Sequence, residues 1–214
     1  MCAKRFSLAS LLVLFCCDSI SYAAEATATK EAKTKKPVVL KVGDAAPKFA
    51  GVTDRGKKWK SEDHVGKKIL VVYFYPADMT GGCTKQACSY RDLIKTMVQE
   101  GSQDELPIEV IGVSGDSVEN HKHFREEYKL NFTLLADPKG EIAKAFGVRM
   151  GKGGTVNWQL DGMPIELVRG VTTGRWTFVI GPDKRIAYKN EKVKPAKDAA
   201  QVMKVVAGLK SKKS

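Results

Sequence analysis

One stretch constrains the fold more than any other. The run Ile69-Leu70-Val71-Val72-Tyr73-Phe74-Tyr75 has the β-branched and aromatic make-up of a buried strand. Pro76 ends it, because proline has no amide hydrogen to give to a sheet ladder. Gly81-Gly82 lets the backbone turn sharply, and from Thr84 onward Ala87, Leu93, Ile94 and Met97 recur at helical spacing. Strand, tight loop and helix start therefore follow one another, and Cys83 falls in the first turn of a helix of about four turns. Unpaired backbone N–H groups and the positive end of the helix dipole favour an anion there, so a thiolate at this position is a nucleophile. Taken alone, Cys83 reads as a small buried hydrophobe. The surrounding loop shifts the balance towards chemistry.

The first residues belong to a different regime. Lys4 and Arg5 precede an apolar run from Phe6 to Cys17, and Ser21-Tyr22-Ala23 follows with small residues at both cleavage positions, the pattern of a secretory signal peptide over 1–23. The run is shorter than the roughly 20 residues a helix needs to cross a bilayer, so stable membrane insertion is not expected. Phe15 is bulky where lipid attachment at Cys16 or Cys17 wants a small residue. Export to the periplasm or another extracytoplasmic space is the expectation. Cleavage removes three of the five cysteines and leaves Cys83 and Cys88. In an oxidising compartment such a pair points to a disulfide. A cross-link closing so short a loop constrains the unfolded chain little, which favours redox chemistry over a structural staple.

The chain is 43% hydrophobic and 28% charged, enough apolar content for one domain with a substantial core. Its net charge of +12 becomes +11 once Lys4, Arg5 and Asp18 are removed. Residues 24–37 form a basic Ala/Thr/Lys-rich linker and 211–214 a basic tail, both read as mobile and solvated. No nucleic-acid partner is expected, because the basic runs lack interleaved aromatics.

Further along, Val38 to Val42 reads as a short strand, and Asp44-Ala45-Ala46-Pro47 as a turn into the strand Phe49 to Val52. Leu106 to Ser114 is a second buried strand. Ser117 is placed to cap a helix running to Tyr128. His121 and His123 on that helix point to different faces, so no metal site is expected and both are assigned to solvent. Thr133 to Ala136 is a strand and Glu141 to Phe146 a helix closed by Gly147. Gly151, Gly153 and Gly154 lack the ending of a phosphate loop and read as a turn. Met163 to Val171 and Arg175 to Ile180 are expected to be the two arms of a hairpin, followed by the strand Arg185 to Lys189 and a helix from Pro195 to Leu209. Residues 147–174 are the least legible part.

The spacing Pro76-x-x-x-Thr80-x-x-Cys83, with Cys88 beyond it, resembles the active-site signature of the peroxiredoxins, in particular their bacterioferritin-comigratory or Q subfamily, atypical two-cysteine proteins of AhpC/TSA type. The resemblance runs from about Val42 to Leu209, through Gly43-Asp44-Ala45-Ala46-Pro47, Gly112-Val113-Ser114-Gly115-Asp116, Leu134-Leu135-Ala136-Asp137 and Arg175-Trp176-Thr177-Phe178-Val179-Ile180. It implies an α/β protein of thioredoxin-like fold over 38–210, a central mixed β-sheet flanked by helices on both faces.

The same resemblance implies a thiol-dependent peroxidase that reduces hydrogen peroxide and organic hydroperoxides without metal, haem or other cofactor. Cys83 is then the peroxidatic cysteine and Cys88 the resolving one, joined to it in an intramolecular disulfide that a thioredoxin-like reductant recycles. Thr80, Gly82 and the backbone N–H groups around Cys83, with Arg175, are the groups expected to bind the peroxide and stabilise its leaving oxygen. Pro76 shields the thiolate, and a monomer is expected. Two positions depart from the pattern: Gly81 stands where proline is common, loosening the loop around Thr80, and Gln86 where glutamate is usual, removing a negative charge near the thiolate.

Two other classes compete. A thioredoxin-like envelope thiol-disulfide oxidoreductase carries Cys-x-x-Cys, whereas four residues separate Cys83 from Cys88. A basic binding protein with a structural disulfide leaves Pro76, Thr80 and Arg175 unexplained.

Overall fold

The strand that dominates the sequence is an interior strand of the sheet. In the computed structural model, which describes residues 38–99 and 107–211, β3 (Ile69–Phe74) is buried at every position. Successive side chains of a strand point to opposite faces. Ile69, Val71 and Tyr73, with Tyr75 just beyond, enter one hydrophobic core, while Leu70, Val72 and Phe74 enter another. Each buried side chain of this size contributes about 1.5 to 3 kcal/mol, so both cores depend on this strand. Strands alternating between two apolar faces must be covered on both, and they are.

Around β3 stand β1 (Ala50–Thr53), β2 (Lys58–Lys60), β4 (Ile108–Ser114), β5 (Thr133–Ala136), β8 (Trp176–Ile180) and β9 (Ile186–Asn190). They form a seven-stranded sheet in the order β2-β1-β5-β4-β3-β8-β9. β3, β4 and β5 run parallel, while β8 lies antiparallel to β3. Three helices supply the first core: α1 (Gly81–Gln99) through Ala87 and Tyr90, α2 (Val118–Tyr128) through Phe124, and α4 (Asp198–Ser211) through Val202 and Val206. The short α3 (Glu141–Ala145) closes the other face with Ile142 and Ala143. This is the mixed, doubly covered sheet of the thioredoxin-like fold.

Local signals explain several boundaries. The Ser117 hydroxyl accepts from the amide of Asn120 at 3.1 Å, the N-cap expected of it. Gly147, with φ of 69°, turns the chain after α3. Other expectations fail. Residues 38–42 form no strand; Ala45 makes only an isolated bridge to Arg185. The glycines 151, 153 and 154 are not a turn but part of β6 (Met150–Leu160), which pairs with β7 (Met163–Thr173) in a separate antiparallel hairpin. β7 therefore does not pair with the Arg175 strand, which is committed to β3 and β9. The turn is Asp161-Gly162, both at positive φ (50° and 78°), the geometry of a tight two-residue hairpin. α1 begins at Gly81 and runs for 19 residues, longer than the periodicity implies.

Among the described residues no helix is long and apolar enough to cross a membrane. The expected signal peptide, the linker to residue 37 and Leu106 lie outside the described residues, as does the tail beyond Ser211, which is the last residue of α4.

Candidate active site

β3 delivers the chain to Pro76, and the loop 76–80 delivers it to α1. Cys83 is the third residue of that helix and is only 1% exposed. It therefore belongs to the first helical turn, whose leading amides have no partner within the helix. Arg175, the residue before β8, brings Nη2 to 3.2 Å from Cys83 Sγ. Pairing of Phe74 with Trp176 across the β3–β8 ladder is what brings the two ends together. Gly82 makes room: a Cβ there would stand 3.3 Å from Arg175 Nη2 and 3.8 Å from Pro195 Cγ.

Thr80 is exposed, and its hydroxyl donates to the Ala77 carbonyl at 3.0 Å. The donor role expected of it is thus engaged, and the hydroxyl offers a peroxide its acceptor lone pairs. Pro76 is half-buried. Cys88, also half-buried, lies in the same helix as Cys83, and both are free thiols.

The loop is held from beneath by a network that sequence reasoning missed. Asp78 is buried, receives the Tyr75 hydroxyl on Oδ1 at 2.8 Å, and meets His121 Nδ1 with Oδ2 at 2.7 Å. The Asp78 amide donates to Asp116, which also receives Ser114 and Asn120. His121, assigned to solvent from sequence, is fully buried; only His123 is partly open. Burial works against the charged imidazolium, but Asp78, with Asp116 behind it, outweighs burial and moves His121 above the usual histidine range. Burial likewise pushes the Asp78 carboxyl up, against the pull of His121 and Tyr75. Met79, next in the chain, is at φ 63° and almost fully buried, so the loop that carries Thr80 is fixed rather than loose, despite Gly81.

Behind Arg175 lies a second missed network. Gln86, one turn after Cys83, accepts Arg175 Nη1 on Oε1 at 2.7 Å and donates Nε2 to Asp198 Oδ2 at 2.8 Å. The hydroxyls of Tyr90 (2.7 Å) and Thr177 (2.8 Å) donate to the same oxygen. Tyr90 keeps its proton, since burial and then the neighbouring Asp198 push it well above the usual tyrosine value. The group behind Gln86 is thus a carboxyl from the start of α4. Only the chain fold reveals this, because Asp198 is 112 residues from Gln86 and no local pattern marks it.

A helix-start thiol against a guanidinium, on a thioredoxin-like sheet, defines a class of thiol enzymes. The sequence profile of the AhpC/TSA family matches residues 42–189. Peroxiredoxin Bcp of Bacillus subtilis is 35% identical over 175 residues, which cover 82% of this chain and all of that protein. The chloroplastic peroxiredoxin Q of Sedum lineare is 36% identical over 180 residues, 82% of this chain and 84% of that one. Among solved structures, peroxidoxin BcpB of Mycobacterium tuberculosis superposes with a TM-score of 0.63 at 27% identity, covering 80% of this chain and 99% of its own. The bacterioferritin comigratory protein of Xanthomonas campestris gives 0.59 at 26%, covering 80% and 98%. The chain belongs to the AhpC/TSA family, as a peroxiredoxin of the Q/Bcp kind, and is a thiol peroxidase.

Proposed function

We propose that Cys83 is the peroxidatic thiol and that one turnover proceeds as follows. The thiolate attacks one oxygen of the peroxide, the O–O bond breaks, and the departing oxygen takes a proton to leave as water or an alcohol; Cys83 becomes a sulfenic acid. Arg175 and the first-turn amides of α1 donate to the oxygens as charge builds on them, while Thr80 accepts from the peroxide hydroxyl. The observation carrying this reading is the 3.2 Å contact between Arg175 Nη2 and the sulfur of Cys83 at the start of α1.

The second half belongs to Cys88. Its thiol condenses with the sulfenic acid, releasing water and forming a disulfide, which a thioredoxin-like dithiol reduces by exchange. Five residues apart in a regular helix, two Cα atoms are about 8.7 Å apart, beyond the roughly 7 Å a disulfide tolerates. α1 must therefore unwind locally before the bond can close. Because both thiols lie on one helix, no second subunit is needed, which supports a monomer. Export of the mature chain from Ala24 onward completes the reading.

Stopped-flow oxidation of the reduced protein by hydrogen peroxide and by an organic hydroperoxide, followed by intact mass, tests it. The expected product is a loss of two hydrogens from the Cys83 and Cys88 pair. Insulin reduction without peroxide, and thiols inert to peroxide, would point instead to a thiol-disulfide oxidoreductase.

A further inference from the structure

The buried carboxylate of Asp198 has no part in the chemistry above, yet it closes a chain of contacts that ends on the reacting sulfur. From Cys83 Sγ the path runs to Arg175 Nη2, from Arg175 Nη1 to Gln86 Oε1, and from Gln86 Nε2 to Asp198 Oδ2. Gln86 is wholly buried and Asp198 is 2% exposed, so the contact between them is shielded from water.

The residue types fit only one way round. A guanidinium has donors alone and a carboxylate acceptors alone, so a group between them must accept on one side and donate on the other. A glutamine amide does both. A carboxylate at position 86 would face Asp198 with like charge. Asp198 is itself held by Tyr90 from α1 and Thr177 from β8, and it sits in the first turn of α4, where the helix dipole favours an anion. The amide is thus clamped from a fixed point, and with it the guanidinium.

We infer that Asp198 is a positioning residue for peroxide reduction, acting through the Gln86 amide to aim Arg175 at the Cys83 sulfur. This rests on the assignment of Cys83 and Arg175 in the proposed function.

The test is a cycle of rates for Cys83 oxidation by hydrogen peroxide, measured by rapid mixing on the full chain. Asp198→Ala should lower the second-order rate about 10-fold in the parent, and less than about 2-fold in an Arg175→Met background, where there is no guanidinium left to aim. Asp198→Asn keeps an acceptor of the same shape and should recover the rate to within about 3-fold of the parent. Tyr90→Phe removes one of the hydroxyls that hold Asp198; it should lower the rate about 2- to 3-fold in the parent, less than Asp198→Ala, and leave it unchanged in the Arg175→Met background. If Asp198→Ala does not fold, Gln86→Met cuts the bridge while Asp198 keeps its two hydroxyl partners, and it should show the same dependence on Arg175. A purely structural Asp198 predicts equal losses in both backgrounds, and that result, or a parent-like rate for Asp198→Ala and Gln86→Met, overturns the inference alone. A parent protein inert to peroxide, or an Arg175→Met variant as fast as the parent, overturns the underlying assignment and the inference with it.

Discussion

Arg175 reaches Cys83 across 92 residues of chain, Nη2 to Sγ, at 3.2 Å. Neither side chain is free to choose this contact: one is fixed by the start of α1, the other by the β3–β8 ladder. If the contact serves the reaction, Cys83→Ser abolishes peroxide consumption and Arg175→Met lowers the oxidation rate about 100-fold, the usual cost of one donor to a developing oxyanion. Stopped-flow kinetics on the two variants checks both, and a parent-like rate for Arg175→Met would remove the guanidinium from the mechanism.

Gly82 offers a test of crowding separate from chemistry. Gly82→Ala should gain about 0.5 to 1 kcal/mol from helix propensity, yet its new methyl meets Arg175 at 3.3 Å and should slow oxidation about 10-fold by displacing the guanidinium. Gly81→Ala, where a Cβ meets nothing within 4 Å, should keep the parent rate. Thermal unfolding and peroxide kinetics on the pair decide it.

Cys88→Ser should react once with peroxide at the parent rate, stop as the sulfenic acid, and lose turnover with a thioredoxin-like reductant. In the parent, hydrogen exchange over residues 83–90 should accelerate on oxidation, because the helix cannot stay regular with the disulfide closed. Unchanged protection together with a confirmed Cys83 to Cys88 bond contradicts this step.

The buried pair of His121 and Asp78 gives stability a pH dependence with a defined sign. The folded protein holds the His121 proton more tightly than the unfolded chain. Its stabilisation is therefore complete below about pH 6.5, the ordinary histidine value, and is lost as pH rises through the folded one. Asp78, raised by burial, acts in the same direction at lower pH. His121→Gln should cost about 3 to 5 kcal/mol by stranding Asp78 and flatten the decline above pH 6.5. Urea titrations at pH 6 and pH 8.5 measure it; equal stability of the parent at both would refute the pairing.

Export is tested by the N-terminus. Protein recovered from its native host should begin near Ala24, and a chain still starting at Met1 would refute cleavage.

What the sequence made legible was whatever depends on neighbours in the chain. The composition of Ile69 to Tyr75, the Ser117 cap and the glycine after α3 all act within a few residues, and the structure follows them. Cys83, Thr80 and Arg175 were reachable because a fixed spacing and a resemblance marked them. Asp198 and His121 were not, since their significance lies in partners 112 and 43 residues away. A polar residue on a helix looks solvated until the fold buries it. The β6–β7 hairpin was missed for another reason: glycines in β6 masked its strand character, although Asp161-Gly162 was a hairpin signal that could have been weighed.

The unequal burial of the two thiols has a practical consequence. With α1 wound, a bulky alkylating reagent meets Cys88 at the half-open surface and is shut out from Cys83. Once the first turns open, both sulfurs become equally available to it. In the reduced protein, the share of molecules that take a second alkyl group in a short pulse then reports how often α1 opens before any disulfide has formed, and an ordinary mass spectrum reads it.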